Sequence, residues 1–249
     1  MERRLERINW KVLSKIVPEK IDRCFLPVGT IEAHGCGPLG TDNIIPEFLA
    51  KNLSDEFNAI VAPTIHYGIT HSLLPYPGSI TIDEKVFEDY ILEVLRGISS
   101  IGFRKIVIFN GHGGNNNSLK KVVSKIYEER NVFCAVVHWW ILCSELTKEF
   151  FKESGSHAGV DENAMILAIE PELVDKELYS EEDVYLYNEG LYSVPIPGSV
   201  IIYKKDEGKP RFDINEARGF KDKLILLIKE HLDKLFRGWE KIDEFRRGK

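Results

Sequence analysis

The amino-acid sequence predicts an α/β fold in which a largely parallel sheet is sandwiched between helices. Three observations predict it. Four short runs, at residues 24–28, 59–62, 105–110 and 132–137, are β-rich and nearly continuous in hydrophobicity, as suits strands buried on both faces. Segments with apolar residues at helical spacing lie between them. Glycine-rich turns follow the first and third runs, at the carboxyl ends of strands, where ligands collect in open α/β sheets.

Each element has its own justification. The run 24–28 feeds a glycine-rich loop that ends at Asp42, and apolar spacing then predicts a helix over 46–53. After 59–62 the longest helical pattern covers 83–101, with Asp83 as its N-cap and Gly102 as its stop. The run 105–110 leads through Gly111-His112-Gly113-Gly114-Asn115 into a helix over 116–129, and 132–137 follows as the fourth strand. A helix opens near Asp161 and runs towards Ile169. The stretch 181–210 is irregular and rich in tyrosine, glycine and proline, so it reads as a strand pair or a loop covering the site. Residues 215–236, with Phe220, Leu224, Leu227, Ile228 and Leu235 on one face, read as a closing amphipathic helix. No internal repeat or low-complexity tract interrupts this order, and residues 1–249 are expected to form one domain.

Bulk properties exclude several functions. The net charge is −6 with acidic and basic residues interspersed, which argues against nucleic acid as a partner; Arg246-Arg247 reads as a solvated helix end. No apolar stretch approaches the roughly 20 residues of a membrane span, and Met1-Glu2-Arg3-Arg4 is not an apolar signal core, so a soluble, cytoplasmic protein is expected. Cys24, Cys36, Cys134 and Cys143 form no Cys-x-x-Cys pair, and no disulfide is expected. Cys36 lies inside the first loop, where lining a pocket is favoured over ligating a metal.

The chemistry is concentrated in three segments. Glu32 and His34 are two residues apart and point the same way in an extended chain. Gly35, Gly37 and Gly40 let the loop fold back to deliver Asp42. His112, among glycines expected to permit close backbone approach and positive φ, can come from the neighbouring strand end. Imidazoles with carboxylates suit a divalent ion that keeps a position open for water. Each loop alone has a plainer explanation, a surface hydrogen bond or a tight turn; together, at matching strand ends, they favour a site. The second loop lacks the Gly-Lys-Ser/Thr ending of a phosphate-binding P-loop. In the third segment, Ser156 to Asn163, Asp161 and Glu162 suit the first turn of a helix on dipole grounds alone. Beside the other loops, Glu162 becomes a candidate ligand and His157 a candidate proton donor. Of the other histidines, His138 is expected to be stacked or in the core and His231 on the surface, and His66 and His71 are not expected to be ligands.

These residues resemble the creatininase, or creatinine amidohydrolase, family. Glu32 to Asp42 is similar to its Glu-x-His-Gly and Pro-Leu-Gly-Thr-Asp pattern, residues 111–115 to its Gly-His-Gly-Gly-Asn, and His157-Ala158-Gly159 with Glu162 to its third motif. Tyr67-Gly68 and Pro77-Gly78-Ser79-Ile80 resemble the family's intervening segment. The resemblance implies a three-layer αβα sandwich with two divalent ions, zinc, manganese or iron, in a homo-oligomer, commonly a hexamer. It implies that Glu32 and His112 hold one ion, His34 and Glu162 the other, and that Asp42 bridges them. Two departures bear on substrate: Cys36-Gly37 stands where the family carries a longer loop with a second histidine, and Val160 replaces a glutamate.

The expected activity is hydrolysis of a small-molecule cyclic amide or formamide, with a metal-bridging hydroxide as nucleophile and His157 protonating the leaving nitrogen. Backbone N–H groups of Gly113 and Gly114 would hold the oxyanion, with Cys36 and Tyr67 beside the substrate. The alternatives are a ring-opening C–C hydrolase of a cyclic keto-sugar such as a dehydro-inosose, and a non-catalytic metal-stabilised binding protein.

Overall fold

A computed structural model describes residues 1–247. The elements run α1 (Trp10–Leu13), β1 (Arg23–Val28), α2 (Thr41–Ser54), β2 (Ala59–Val61), α3 (Glu84–Ile101), β3 (Lys105–Asn110), α4 (Asn116–Arg130), β4 (Phe133–His138), α5 (Trp139–Leu142), α6 (Ser144–Phe151), α7 (Val160–Ile169), β5 (Val184–Leu186), β6 (Val200–Ile202) and α8 (Ile214–Arg247). The central sheet has the order β2-β1-β3-β4, and every pairing in it is parallel. Val28 is level with Asn110, and Asn110 with His138, so the loops after β1, β3 and β4 leave the same edge.

Strand alternation divides the core into two apolar layers. Cys24, Leu26 and Val28 of β1, with Ile106 and Ile108 of β3, face α3 and α4, joined by Phe87, Ile91, Leu95, Leu119 and Val122. Phe25 of β1, with Val107 and Phe109 of β3, faces α2, α7 and α8, where Leu49, Met165, Phe220, Leu224 and Ile228 pack. The result is the expected three-layer αβα sandwich. Asp83 caps α3, its carboxylate accepting from the N–H groups of Lys85 and Val86, and Gly102 ends that helix at φ +120°. No described helix is long and apolar enough to cross a membrane.

Two elements depart from expectation. α2 begins at Thr41, five residues early, because Thr41, Asp42 and Asn43 are buried polar residues that apolar periodicity does not count. α8 continues well past 236 to Arg247. The stretch 181–210 takes the first of its two expected forms, a strand pair, β5 with β6, in parallel register. Gly35 N donates to Ser199 O at 3.1 Å and Ile201 N to His157 O at 3.0 Å, tying this unit to the first and third motif segments.

Candidate metal centre

The three segments converge. Glu32 and His34 lie on the loop after β1, Asp42 in the first turn of α2, His112 directly after β3, and His157 and Glu162 around the start of α7. Asp42 is central: its Oδ1 is 3.0 Å from His34 Nε2 and its Oδ2 is 2.8 Å from His112 Nδ1. Glu32 Oε1 is 3.2 Å from His112 Nδ1 and 3.6 Å from His157 Nδ1, and Glu162 Oε2 is 3.6 Å from His34 Nε2. Ligand atoms of Glu32, Asp42 and His112 lie within 4.8 Å of one another, as do those of His34, Asp42 and Glu162, and those of Glu32, His34 and His157.

The backbone sets the imidazole tautomers. His34 Nδ1–H donates to the Glu32 carbonyl at 3.0 Å, His112 Nε2–H to the Ile69 carbonyl at 2.8 Å, and His157 Nε2–H to the Ala33 carbonyl at 2.9 Å. A nitrogen that donates to a carbonyl leaves the other with a bare lone pair. All three lone pairs then face carboxylates. His34 Nε2 is buried without a hydrogen-bond partner although Asp42 Oδ1 is near, since two acceptors repel unless a cation sits between them. This orphaned nitrogen, with carboxylates on both sides, is what a divalent-ion site requires.

The same carboxylates favour positive charge at the inward nitrogens of His34 and His112, whether a proton or a metal ion. Burial disfavours a charged His34, yet Asp42 and then Glu162 overcome it and push its pKa up to about 10. Burial is likewise outweighed at His112, chiefly by Glu32, and its pKa rises well above the ordinary value. Burial would raise Asp42, but His34 and His112 hold it well below the usual carboxylate range. Burial raises Glu162 despite His34. His157 is the exception: burial, then His34, pushes it down to about 4. With its single N–H given to Ala33, neutral His157 offers a proton acceptor, not the ready donor expected from sequence.

Glycine acts here by close approach. None of Gly111, Gly113 and Gly114 has the positive φ expected; Gly35 does, at +52°. A Cβ on Gly114 would lie 2.0 Å from the Ile69 carbonyl oxygen, the atom that orients His112.

A cavity of about 840 Å³ opens onto the cluster, lined by Glu32, Asp42, His112, Gly113, Gly114, His157 and Glu162. Cys36 and Tyr67 are absent from its wall. Cys36 is buried behind the loop with its thiol 3.7 Å from Asn163 Oδ1, because Gly35 turns the chain there, and Tyr67 is exposed. His71 lines the cavity away from the cluster, His66 is exposed, and His138 accepts from Asn110 Nδ2 at 3.0 Å beside Trp140. Sequence reasoning missed Thr70, whose hydroxyl donates to Glu32 Oε2, and the side chain of Asn115, which accepts from Ile69 N at 3.0 Å and donates to Gly29 O at 3.1 Å. Asn115 stood inside a motif already singled out; Thr70 carried no signal. Also missed were Trp140 and Tyr203, which line the cavity.

An αβα sandwich with histidines and carboxylates gathered at the carboxyl edge of a parallel sheet defines a class of metal-dependent hydrolases. Residues 6–200 match the model of the creatininase family, creatinine amidohydrolase, and the chain belongs to that family. It is similar to the mycofactocin precursor peptide peptidase of Mycolicibacterium smegmatis, 30% identical over 167 residues, covering 64% of this chain and 62% of the relative. It is similar to the 3-dehydro-scyllo-inosose hydrolase of Thermotoga maritima, 32% identical over 104 residues, covering 40% of this chain and 33% of the relative. The creatinine amidohydrolase of Pseudomonas putida is 23% identical over 189 residues, covering 68% and 72%. The chain thus spans less than two thirds of the length of the first two relatives. A mutant creatininase of Zn-Zn type superposes with a TM-score of 0.81 at 18% identity, covering 95% of this chain and 99% of that one. A manganese creatininase does so with a TM-score of 0.77 at 18% identity and the same coverage.

Proposed function

We propose that this chain hydrolyses the C–N bond of an amide at a site for two divalent ions, Glu32 and His112 holding one, His34 and Glu162 the other, with Asp42 shared. The observation that carries this reading is Asp42 itself, its two oxygens turned to two histidines whose inward nitrogens bear lone pairs. Bound there, divalent ions supply Lewis acidity and lower the pKa of water. His157 Nδ1, the bare nitrogen of a neutral ring, takes a proton from water, and the low affinity of the ring for protons favours passing that proton on to the leaving nitrogen. Gly113 and Gly114 line the wall where their N–H groups meet the developing oxyanion. The Thr70 hydroxyl, at the cavity wall, holds Glu32 in place.

The leading substrate class is a small cyclic amide or formamide. A second reading, an amide within a peptide, is favoured by the cavity of about 840 Å³, which lies near the upper end for drug-sized ligands. The relatives named as creatinine amidohydrolase and peptide peptidase support C–N cleavage; the inosose hydrolase supports ring opening of a cyclic keto-sugar as the alternative. The single domain and the homo-oligomer, a hexamer, belong to the same proposal. The two apolar layers share one sheet, Leu186 and Leu191 are exposed, and Tyr192 and Val194 expose apolar surface at the cavity.

The test is metal analysis of the purified protein together with incubation on creatinine, formamides, short peptides and keto-inositols, followed by mass spectrometry. About two ions per chain and an amine or amino product are expected. Absence of turnover on every amide overturns the reading, and turnover of a keto-inositol alone replaces it with the ring-opening one.

A further inference from the structure

A second cavity, of about 340 Å³, lies at the opposite end of the sheet, where the chain enters β3 and β4. Three arginines line it: Arg104 just before β3, Arg130 at the end of α4, and Arg246 near the end of α8. Arg104 and Arg130 are exposed, and neither forms an ion pair among the described residues. The acid in the wall, Asp243, is engaged elsewhere, 3.7 Å from Lys105 Nζ. Arg246 is not the solvated helix end expected from sequence. Its guanidinium carbon lies 4.6 Å from the Phe133 ring centroid and 5.7 Å from that of Tyr127, whose hydroxyl accepts from it at 2.7 Å.

Three guanidinium groups in one concavity repel one another, and in a chain of net charge −6 this local excess of positive charge stands out. Stacking holds the Arg246 fork in one plane and reduces the ordering needed for it to grip an anion. Planar forks with several N–H donors match the oxygens of phosphate. The volume equals about eleven waters at ~30 Å³ each, room for a phosphate group and a sugar-sized body. We propose that this cavity binds a phosphate dianion, free or as a phosphomonoester, far from the reaction site and independently of it.

Isothermal titration calorimetry on the metal-loaded protein, at matched ionic strength, tests this with inorganic phosphate, ribose 5-phosphate and, as the uncharged control, ribose. Saturable binding of a phosphate probe and none of ribose is expected. The Arg104→Ala/Arg130→Ala double variant should weaken binding about tenfold or more, as loss of charge-assisted hydrogen bonds implies. Its melting temperature without phosphate should not fall, because both side chains are exposed and their loss relieves repulsion. Arg246→Lys, which keeps the charge but loses the planar fork, should also weaken it. Tighter binding of ribose 5-phosphate identifies an ester ligand; equal affinity identifies free phosphate. Absence of saturable binding, or binding that both variants leave unchanged, overturns the proposal.

Discussion

At the residue scale, the centre depends on side chains beyond the candidate ligands. Thr70→Val removes the hydroxyl that occupies Glu32 Oε2 while nearly conserving volume. Loss of such a partner typically costs about 10–100-fold in metal affinity. A competition titration with a chromogenic chelator should read that loss while circular dichroism stays unchanged. His138 gives a pH signature. Burial, then Lys120, pushes its pKa down to about 4, against an ordinary value of 6.5. Between these values the unfolded chain binds more protons than the folded one, so stability is fully present above about 6.5 and falls as pH drops towards 4. Urea denaturation across this window should show a shallower decline for His138→Gln than for the parent.

Elements that were legible in the sequence are those whose only task is to be buried. The first strand starts within a residue of its expected position, and β3 matches its expected span, because apolar continuity and burial coincide there. α3 was equally legible, its cap and stop being local chemistry; Asp83→Ala should cost about 1 kcal/mol of unfolding free energy in urea titrations. α2 was only half legible, for a reason that belongs to the site. Its first turn buries Thr41, Asp42 and Asn43, polar residues that hydropathy assigns to a loop. Pro46, lacking an N–H, leaves the Asp42 carbonyl without its helical partner, and Gly29 and Gly111 press so close to that oxygen that a Cβ on either would lie 2.1 or 2.0 Å away. The identities of the central side chains could be read from motifs. The main-chain carbonyls that orient them could not, since they depend on tertiary approach and not on residue type.

For the whole molecule, the centre is also a clasp. Side chains from the β1 loop, α2, the β3 turn and α7 meet there, and they bring carboxylates together away from water. Ions that bind only the folded chain stabilise it by mass action. Treatment with a chelator, followed by differential scanning calorimetry, should lower the melting temperature, and re-addition of zinc or manganese should restore it. In Asp42→Asn the restoration should be markedly smaller, because the residue between the two histidines has lost a charge.

Each imidazole of the cluster is pinned by peptide oxygen, at Glu32, Ile69 or Ala33, and not by a neighbouring residue's functional group. Exchange of the Ile69 or Ala33 side chain therefore leaves the acceptor oxygen in place, whereas a side chain at Gly114 would collide with that of Ile69. Side chains along the chamber wall can thus vary in type while the main-chain atoms that steer these rings stay the same.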